Sequence, residues 1–440
     1  MAALVLAGAL PLAWLGCNTD LRCHGSSGKT SINTRVGRYG HLQLTLPNGK
    51  VWVIGGIVRT HCGDDVEVSS SAELYDPALG RFLGRWHNAW FGRAFFAGAV
   101  SDAGTPGDPS DDYVLIAGGV ERLTDEQRPW LHVRDSVVRI ALDGPNGDPQ
   151  TVEHVGNLPG TRFDLAAVAL PDGRVAFIGG RNSNNAGQDS IQIWSPDGRS
   201  VDRSPGDFTG PVRERYNHRA IYVPNLRAGW ILVTGGRSSR NLQSEATAID
   251  LQDDTTYALS GFVARQYHSL TLLDAGTPSD PSDDAIVEIG GLSMLEEDIV
   301  AFQEGHIDTA SAVRLLDNGP GFAPSVQLLA TNVPLGAPVF FHTAAASDDG
   351  LRLLAMGGFT SLYYDEDGFY TGSFIDSDPV RLVARLTWDP VSGLLAVSTG
   401  QLQRERAMAA SSRLADGTVF VTGGINDDLN SVRGAELLTP

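Results

Sequence analysis

Seven Gly-Gly doublets, each placed after an apolar run, predict an all-β protein, a β-propeller of seven blades with four antiparallel strands per blade. The doublets recur every 55–67 residues, and such a period indicates that one supersecondary unit is repeated. Apolar runs such as 51–54 and 419–422 precede the glycines, which is typical of a strand followed by a turn. Helical periodicity is almost absent. The doublets begin at Gly55, Gly118, Gly179, Gly235, Gly290, Gly357 and Gly423.

Each copy of the repeat begins with an innermost strand, and in six copies an arginine precedes it. The interval from this arginine to the doublet is 17 residues in copies one, three and seven, with a tight hairpin turn between its two strands. Near-duplicate inserts at 102–112 and 274–284 lengthen the interval to 25 in copies two and five, which predicts longer loops between unchanged strands. Val339 stands at the arginine position of copy six. We interpret the arginines as scaffold residues that tie blades together; they are Arg38, Arg93, Arg162, Arg215, Arg265 and Arg406.

A third strand follows each doublet, most clearly at 72–77 (Ala-Glu-Leu-Tyr-Asp-Pro), and a short fourth strand precedes the next copy. The combined pattern reads Arg-x-x-His, then apolar-Asp-Gly-apolar-Gly-Gly, then Glu-Leu-Tyr-Asp-Pro. Over residues 38–440 it resembles the Kelch repeat, in the sequence form that is common in secreted bacterial proteins. The resemblance implies a Kelch-type β-propeller of the galactose oxidase central-domain superfamily.

The last repeat lacks one strand, and this predicts how the ring closes. Residues 435–440 correspond to residues 72–77 of the first copy, so copy seven has three strands of its own. Because an unpaired edge would expose a row of amides and carbonyls, we expect an N-terminal strand within 29–34 to pair with the strand that ends near Leu438. The predicted domains are therefore a signal segment at 1–17, a linker at 18–28 and one propeller at 29–440.

Composition narrows the possible partners. The chain has 33 Lys and Arg against 52 Asp and Glu, a net charge of −19. This acidic field disfavours nucleic acid and anionic membrane surfaces as partners. We expect a monomer with no cofactor that binds a protein or glycan ligand.

The first sixteen residues are an apolar run that ends at Leu-Gly-Cys17. They resemble a secretion signal with a bacterial lipoprotein box, which implies lipidation of Cys17 and an extracytoplasmic location in the cell envelope or at the cell surface. The lipid would then be the sole attachment to the membrane. A buried strand or an uncleaved anchor is the alternative. If Cys17 is acylated, Cys23 and Cys62 could form a disulfide; free thiols and a Cys17–Cys23 pair are the other possibilities.

One short stretch suggests redox chemistry. Residues 265–273 (Arg-Gln-Tyr-His-Ser-Leu-Thr-Leu-Leu) resemble the innermost strand of galactose oxidase and glyoxal oxidase, in which a Tyr-His pair binds copper. The resemblance would make Tyr267 and His268 metal ligands. The chain has no cysteine beyond Cys62 to cross-link a second tyrosine, and no other copy has tyrosine at the Tyr267 position. We therefore expect no radical-copper site.

Four copies share a histidine at one position, which offers a second possible metal site because imidazole binds Zn, Cu and Ni. The alternative is a structural role, in which each histidine forms hydrogen bonds between blades. We favour that role, because histidine belongs to the repeat pattern itself. The four residues are His41, His218, His268 and His342.

The loops after the Gly-Gly doublets vary most between copies, and variable loops on a rigid scaffold often carry function. Copies one to four place arginines there, whereas copies five and six place carboxylates and aromatic residues. We expect an exposed rim that binds an acidic peptide or anionic glycan; pairing of the arginines with nearby carboxylates is the alternative. If the rim is exposed, replacing Arg181 and Arg237 should leave the melting temperature almost unchanged. The predicted ligand contacts are Arg59, Arg122, Arg181, Arg237, Arg240, Tyr363, Tyr364 and Tyr370.

Two functions remain open. The favoured one is a non-catalytic binding module that recognises a protein or glycan through its loop face. The alternative is an extracytoplasmic carbohydrate-active enzyme, similar to galactose oxidase or to a sugar epimerase, with a site at the mouth of the central channel. No P-loop, zinc-protease helix or nucleophile elbow occurs in the chain.

Overall fold

The computed structural model of the protein describes residues 32–59, 66–122, 132–224, 226, 229–239, 241–277, 280, 283–293, 305–364, 374–428 and 430–440. These residues form seven antiparallel sheets arranged as the blades of a propeller. The first strand of each blade is innermost, and the remaining strands follow outward in chain order in the described part. The predicted fold class is confirmed.

Blades 1 and 2 each add a small hairpin after the Gly-Gly doublet. Blade 1 contains β1 (Leu42–Thr45), β2 (Val51–Ile54), the hairpin β3 (Ile57–Arg59) and β4 (Val66–Val68), then β5 (Ser71–Asp76) and β6 (Arg81–His87). Blade 2 contains β7 (Ala97–Ser101), β8 (Tyr113–Ala117), the hairpin β9 (Val120–Arg122) and β10 (His132–Val133), then β11 (Ser136–Ala141) and β12 (Val152–Asn157).

Blades 3 to 5 show the plain four-stranded unit. Blade 3 contains β13 (Ala166–Ala169), β14 (Val175–Ile178), β15 (Ile191–Trp194) and β16 (Val201–Arg203). Blade 4 contains β17 (Tyr216–Val223), β18 (Trp230–Arg237), β19 (Ala246–Asp250) and β20 (Thr255–Leu259). Blade 5 contains β21 (Ser269–Leu273), β22 (Ala285–Ile289), β23 (Thr309–Leu316) and β24 (Ser325–Pro334).

Blade 6 contains β25 (Thr343–Ala346), β26 (Arg352–Met356), the hairpin β27 (Phe359–Tyr364) and β28 (Phe374–Pro379), then β29 (Leu382–Asp389) and β30 (Leu394–Gln401). Blade 7 contains β31 (Ala410–Arg413), β32 (Val419–Thr422) and β33 (Glu436–Leu438). The helices of the described residues are two 3₁₀ turns, Ala89–Phe91 and Pro205–Asp207. Within the same residues no helix has the length and apolar character needed to cross a membrane.

The second strand of each blade is buried on both faces, which explains its continuous apolar sequence. In blade 1, Trp52 and Ile54 pack in a cluster shared with blade 2, whereas Val51 and Val53 pack in a cluster shared with blade 7. Successive strand residues point to opposite faces, so one short run contributes to two interfaces. Seven such clusters lie between neighbouring blades.

The Gly-Gly doublets hold neighbouring blades together. In all seven blades the second glycine donates its backbone N–H to the carbonyl at the arginine position of the next blade, over 2.7–2.9 Å. The first glycine has a φ of +56° to +69°. A Cβ added to that glycine would lie 2.2–2.4 Å from the same carbonyl oxygen. Any other residue would therefore push the two blades apart.

The six repeated arginines are scaffold residues, but the prediction that their guanidinium groups tie neighbouring blades together is wrong, because these groups bond within one blade. Each is buried and donates from Nη1 to the carbonyl of the first glycine in its own blade, over 2.8–3.2 Å. Arg38 and Arg406 also form ion pairs with the buried Glu73 and Glu436. The side chain thus ties strands of one blade together, while its backbone carbonyl ties that blade to the previous one.

The N-terminal segment pairs with the chain just before β33, the strand that the sequence predicts as its partner. Asn33 pairs with Gly434 in an antiparallel bridge, and Ala435 donates its N–H to the Ile32 carbonyl at 3.1 Å. Residues 29–31, which would continue this pairing toward Leu438, lie outside the described residues. Stacking of Tyr75 on Phe420, with ring centroids 4.1 Å apart, packs blade 1 against blade 7.

Candidate functional site

The innermost strands begin around the mouth of the central channel, on the face that also carries the loops after the Gly-Gly doublets. We call this the upper face. One residue per blade, two positions after the scaffold arginine position, has a left-handed backbone with a φ of +52° to +59°. This conformation is rare for residues other than glycine, and its cost is tolerated where the surrounding structure fixes it. The seven residues, here named the mouth ring, are Gly40, Phe95, Asp164, Asn217, Tyr267, Phe341 and Met408.

Backbone hydrogen bonds link the mouth ring from blade to blade. Phe95 donates its N–H to the Gly40 carbonyl at 2.9 Å, and Asp164 donates to Phe95 at the same distance. Four further bonds of 2.9–3.4 Å join the ring members of blades 4 to 5, 5 to 6, 6 to 7 and 7 to 1. These bonds fix the left-handed conformation, so the mouth ring is a rigid frame for its side chains.

The mouth ring encloses a cavity of about 190 Å³. Every blade contributes at least one lining residue. Besides the mouth ring, the lining residues are His41, Phe96, Leu165, Arg219, His342 and Ala409. The cavity is small beside the roughly 300–1,000 Å³ of sites for drug-sized ligands, so it suits one small molecule or the end of a longer one.

The two sides of the cavity differ in chemistry. Blades 3 and 4 supply Asp164, Asn217 and Arg219, whereas blades 2, 6 and 7 supply phenylalanine and methionine side chains. Tyr267 of blade 5 stacks on Phe341, with ring centroids 3.8 Å apart. The cavity therefore offers polar groups on one side and aromatic surface on the other.

The shared histidines lie between blades, where three of them form hydrogen bonds. His41 Nε2 is 3.1 Å from Thr422 Oγ1, His268 Nε2 is 3.0 Å from Thr234 Oγ1, and His342 Nε2 is 2.8 Å from Ser269 Oγ. Burial lowers the pKa of His41 and of His342 to about 3, so both are neutral at pH 7. This geometry agrees with the structural role that we favoured for them.

The structure corrects the exposed arginine rim for two of its members. Arg181 and Arg237 are only 2% and 1% exposed. Arg181 donates from Nε to the Asp164 carboxylate at 3.0 Å, and its Nη2 lies 2.8 Å from the same oxygen in an ion pair. Both guanidinium groups stack on Tyr216, at 4.7 Å and 5.5 Å from its ring centroid. The two arginines therefore pack on one tyrosine ring beneath the surface; their contact with a ligand stays a prediction.

The sequence contains a signal for this burial. The residue after each doublet pairs with the residue after the scaffold arginine position, which places it in a central apolar cluster in five blades. Apolar residues occupy the position in those blades, and arginines replace them in blades 3 and 4. The seven residues are Ile57, Val120, Arg181, Arg237, Leu292, Phe359 and Ile425.

The structure describes only some of the other residues that the sequence predicts as ligand contacts. Arg59 ends β3 on the upper face and is half-buried, near the Tyr39 hydroxyl, whose pKa is raised by burial. Arg122 ends β9, and Tyr363 and Tyr364 lie in β27, so all three belong to upper-face hairpins. Other predicted residues lie outside the described ranges, namely Arg240, Tyr370, Cys17, Cys23 and Cys62. Their assignments stay predictions.

The sequence analysis missed Arg219, although the repeat contains a signal for it. Arg219 follows the shared histidine position by one residue, where the other blades carry small or apolar residues. An arginine in the innermost strand of a single blade is therefore unusual in this chain. The corresponding residues are Leu42, Ala97, Ala166, Ser269, Thr343 and Ala410.

Comparison with known proteins identifies the fold. A fungal alcohol oxidase of the AA5 family, solved in complex with copper, superposes with a TM-score of 0.60 at 14% identity, covering 93% of this chain and 75% of the oxidase. This likeness shows the fold, a seven-bladed β-propeller. YjhT superposes with a TM-score of 0.49 at 14% identity, over 79% of this chain and 95% of YjhT. No family model and no curated protein sequence matches the chain.

A copper site does not fit the residues of this channel mouth. Tyr267 lines the cavity and stacks on Phe341, whereas His268 is bonded to Thr234 between blades and does not line the cavity. The two neighbouring side chains therefore lie in different environments. The rest of the mouth ring supplies no second tyrosine, and the two histidines that line the cavity, His41 and His342, are bonded to Thr422 and Ser269. Among the described residues, no group of three or more His, Cys, Asp or Glu is placed to hold a metal ion.

Proposed function

We propose that this protein is a non-catalytic binding propeller that recognises a polyhydroxylated ligand, such as the terminal sugar of a glycan, at the channel mouth. The observation that supports it best is the cavity of about 190 Å³, which is lined from all seven blades and divided into a polar and an aromatic side. Convergent polar groups in a largely apolar concavity are typical of a small-molecule site.

The chemistry of a sugar matches both sides of this cavity. Carbohydrate C–H groups pack on aromatic rings, and the Tyr267–Phe341 pair offers such a surface. Hydroxyl groups need donors and acceptors, which Asp164, Asn217 and Arg219 provide on the opposite side. A ligand with one apolar face and a polar edge would satisfy both sides at once.

The titratable groups favour binding over catalysis. General acid–base catalysis needs a group with a pKa near the working pH. Of the described lining residues, His41 and His342 have pKa values near 3, and Asp164 is held in an ion pair with Arg181. A carbohydrate-active enzyme at the same mouth remains the alternative, and conversion of a bound sugar would support it.

The proposed location is the bacterial cell envelope, with Cys17 lipidated as the Leu-Gly-Cys17 sequence suggests. Metabolic labelling with a palmitate analogue tests this proposal. We expect label in the wild-type protein and none in Cys17→Ser. Equal labelling of both proteins would exclude lipidation at this cysteine.

A panel of monosaccharides and glycan ends tests the binding site itself. We expect saturation-transfer NMR to detect binding of at least one sugar to the wild-type propeller. Asn217→Gly should weaken this binding, because it removes a lining amide while glycine keeps the positive φ of 57°. Asn146→Gly is the matched control, since Asn146 has a φ of 60° and lies in the exposed turn between β11 and β12 on the opposite face. Equal weakening by both changes, or no sugar binding at all, would contradict the proposal.

A further inference from the structure

We propose that Arg219 binds a carboxylate group of the ligand inside the channel, so that the protein selects acidic sugars over neutral ones. The inference rests on the proposed binding of a sugar at the channel mouth. Arg219 lies in β17, two residues after the mouth-ring residue Asn217, and lines the same cavity as Asp164 and Tyr267.

Arg219 has unused hydrogen-bonding capacity. Its Nη1 donates to the His218 carbonyl at 3.0 Å. Solvent reaches the side chain through the channel, yet the surrounding protein lowers the pKa of Arg219 by desolvation, an effect that Asp164 opposes. Within the described residues Arg219 forms no ion pair at 4.0 Å or less. A guanidinium group carries five donors, so most of them are available to a ligand.

The charge of Arg219 is not cancelled by the residues that share its cavity. Asp164 carries the negative charge of the described lining, and Arg181 binds that carboxylate directly at 2.8 Å. His41 and His342 are neutral at pH 7. The positive charge of Arg219 is therefore left at the channel mouth, where a bound anionic ligand would pair with it.

The scaffold arginines of blades 2 to 4 form no ion pair at 4.0 Å or less within the described residues. Their hydrogen bonds go to neutral oxygens: Arg93 to Gly118 and Ser136, Arg162 to Gly179 and Ser190, and Arg215 to Gly235, Glu245 and Thr247. The Glu245 acceptor is its backbone carbonyl. Carboxylates that lie farther away each raise the pKa of one of these arginines. They are Glu121 for Arg93, Asp135 and Asp189 for Arg162, and Glu245 for Arg215.

The blades on the other side of the channel differ. Arg38, Arg265 and Arg406 each have a glutamate close by, at 2.7, 3.9 and 2.6 Å. The three scaffold arginines without a glutamate at 4.0 Å or less, among the described residues, therefore lie in blades 2 to 4, in the part of the ring that contains Arg219.

The site favours a carboxylate over a phosphate dianion. One planar guanidinium matches the two oxygens of a carboxylate in a bidentate pair. A phosphate dianion carries a second negative charge, and no second Lys or Arg is among the described residues that line the cavity. An acidic sugar combines a single carboxylate with the hydroxyl groups and apolar face that the rest of the cavity suits.

Isothermal titration with D-glucuronate and D-glucose, which differ by the carboxylate, tests the inference. We expect wild-type protein to bind glucuronate at least about tenfold more tightly than glucose. Arg219→Gln should abolish that preference, and Arg219→Lys should retain only part of it. The control is Arg199→Gln, because Arg199 lies outside the channel, 51% exposed and paired with Glu153; it should keep the full preference. Melting curves of all variants confirm that they are folded.

The outcomes separate the two proposals. Equal binding of both sugars by the wild type, or an unchanged preference in Arg219→Gln, would overturn the role of Arg219 and leave sugar binding intact. Propionate serves as a carboxylate that is not a sugar. Binding of propionate that depends on Arg219, without binding of either sugar, would support the carboxylate site and contradict the proposed function. Failure of the wild type to bind glucuronate and propionate would overturn the inference.

Discussion

The fourteen glycines of the doublets show how a single missing Cβ determines the packing of blades. The first glycine of each doublet supplies a left-handed backbone and leaves room for the carbonyl of the next blade, and the second donates a hydrogen bond to that carbonyl. Both tasks recur identically in every blade, which is why the sequence alone predicts the number of blades. The side chains of the mouth ring are of six different types in seven blades, so no repeat pattern predicts what they bind.

Gly357→Ala tests the close approach of blades. Its φ is +66°, and an added Cβ would lie 2.2 Å from the Arg406 carbonyl oxygen. Gly393→Ala is the control, because its φ is +67° and its Cβ would meet nothing within 4 Å. We expect both changes to cost about 1–2 kcal/mol for the left-handed backbone, and Gly357→Ala to cost about 1–3 kcal/mol more for the overlap. Urea unfolding measures both values; equal losses would contradict this role of the doublet.

The interblade histidines predict a loss of stability in mild acid. Burial lowers the pKa of His41, His218 and His342 from 6.5 to about 3. The unfolded chain therefore binds more protons below pH 6.5, and the stability that these neutral histidines contribute above pH 6.5 is lost as the pH falls toward 3. The slope of the unfolding free energy should approach about 1.4 kcal/mol per pH unit for each histidine.

Urea unfolding between pH 7 and pH 5 measures this slope. His41→Gln removes one titrating group and should reduce the slope, even if the variant is less stable at pH 7. A free energy of unfolding that does not change between these pH values would show that the folded state does not hold the histidines neutral.

At the scale of strands and loops, the position after each doublet determines whether a side chain is buried or exposed. The sequence analysis treated this position as the start of a variable surface loop, which is correct for the residues further along. The residue itself pairs back with the start of the innermost strand, so Arg181 and Arg237 are buried. Periodicity predicts strands well. Whether the first residue of a loop is buried becomes clear only when the residues at that position are compared in all seven copies.

Arg181→Ala should therefore destabilise the protein clearly, in contrast to the small effect expected of an exposed arginine. Removal of a partner from a buried ion pair costs about 3–5 kcal/mol, and Asp164 is only 11% exposed. The double variant with Arg181→Ala and Asp164→Asn should lose less unfolding free energy than the sum of the two single variants, because it contains no uncompensated carboxylate. Arg199→Ala, at a 51% exposed side chain, should change stability by no more than about 0.5 kcal/mol. Thermal and urea unfolding of these variants measure the changes in stability. A small effect of Arg181→Ala would contradict the buried ion pair and support a surface role for Arg181.

At the scale of the whole molecule, the innermost strands of neighbouring blades contact one another around the full ring, and residues 32–34 join the last blade to the first. Closure makes the channel mouth rigid and brings residues that are far apart in sequence, such as Phe95 and Met408, around one cavity. Sequence patterns predict this architecture because every blade repeats it. The cavity could not be predicted in the same way, since it depends on which side chains face each other after closure.

A crystal structure of the protein with D-glucuronate tests the channel-mouth site most directly. We expect the sugar inside the mouth ring, with its apolar face against Phe341 and its carboxylate within hydrogen-bond distance of the Arg219 guanidinium. Glucuronate bound instead on the outer strands or the opposite face, with solvent filling the channel mouth, would contradict the account.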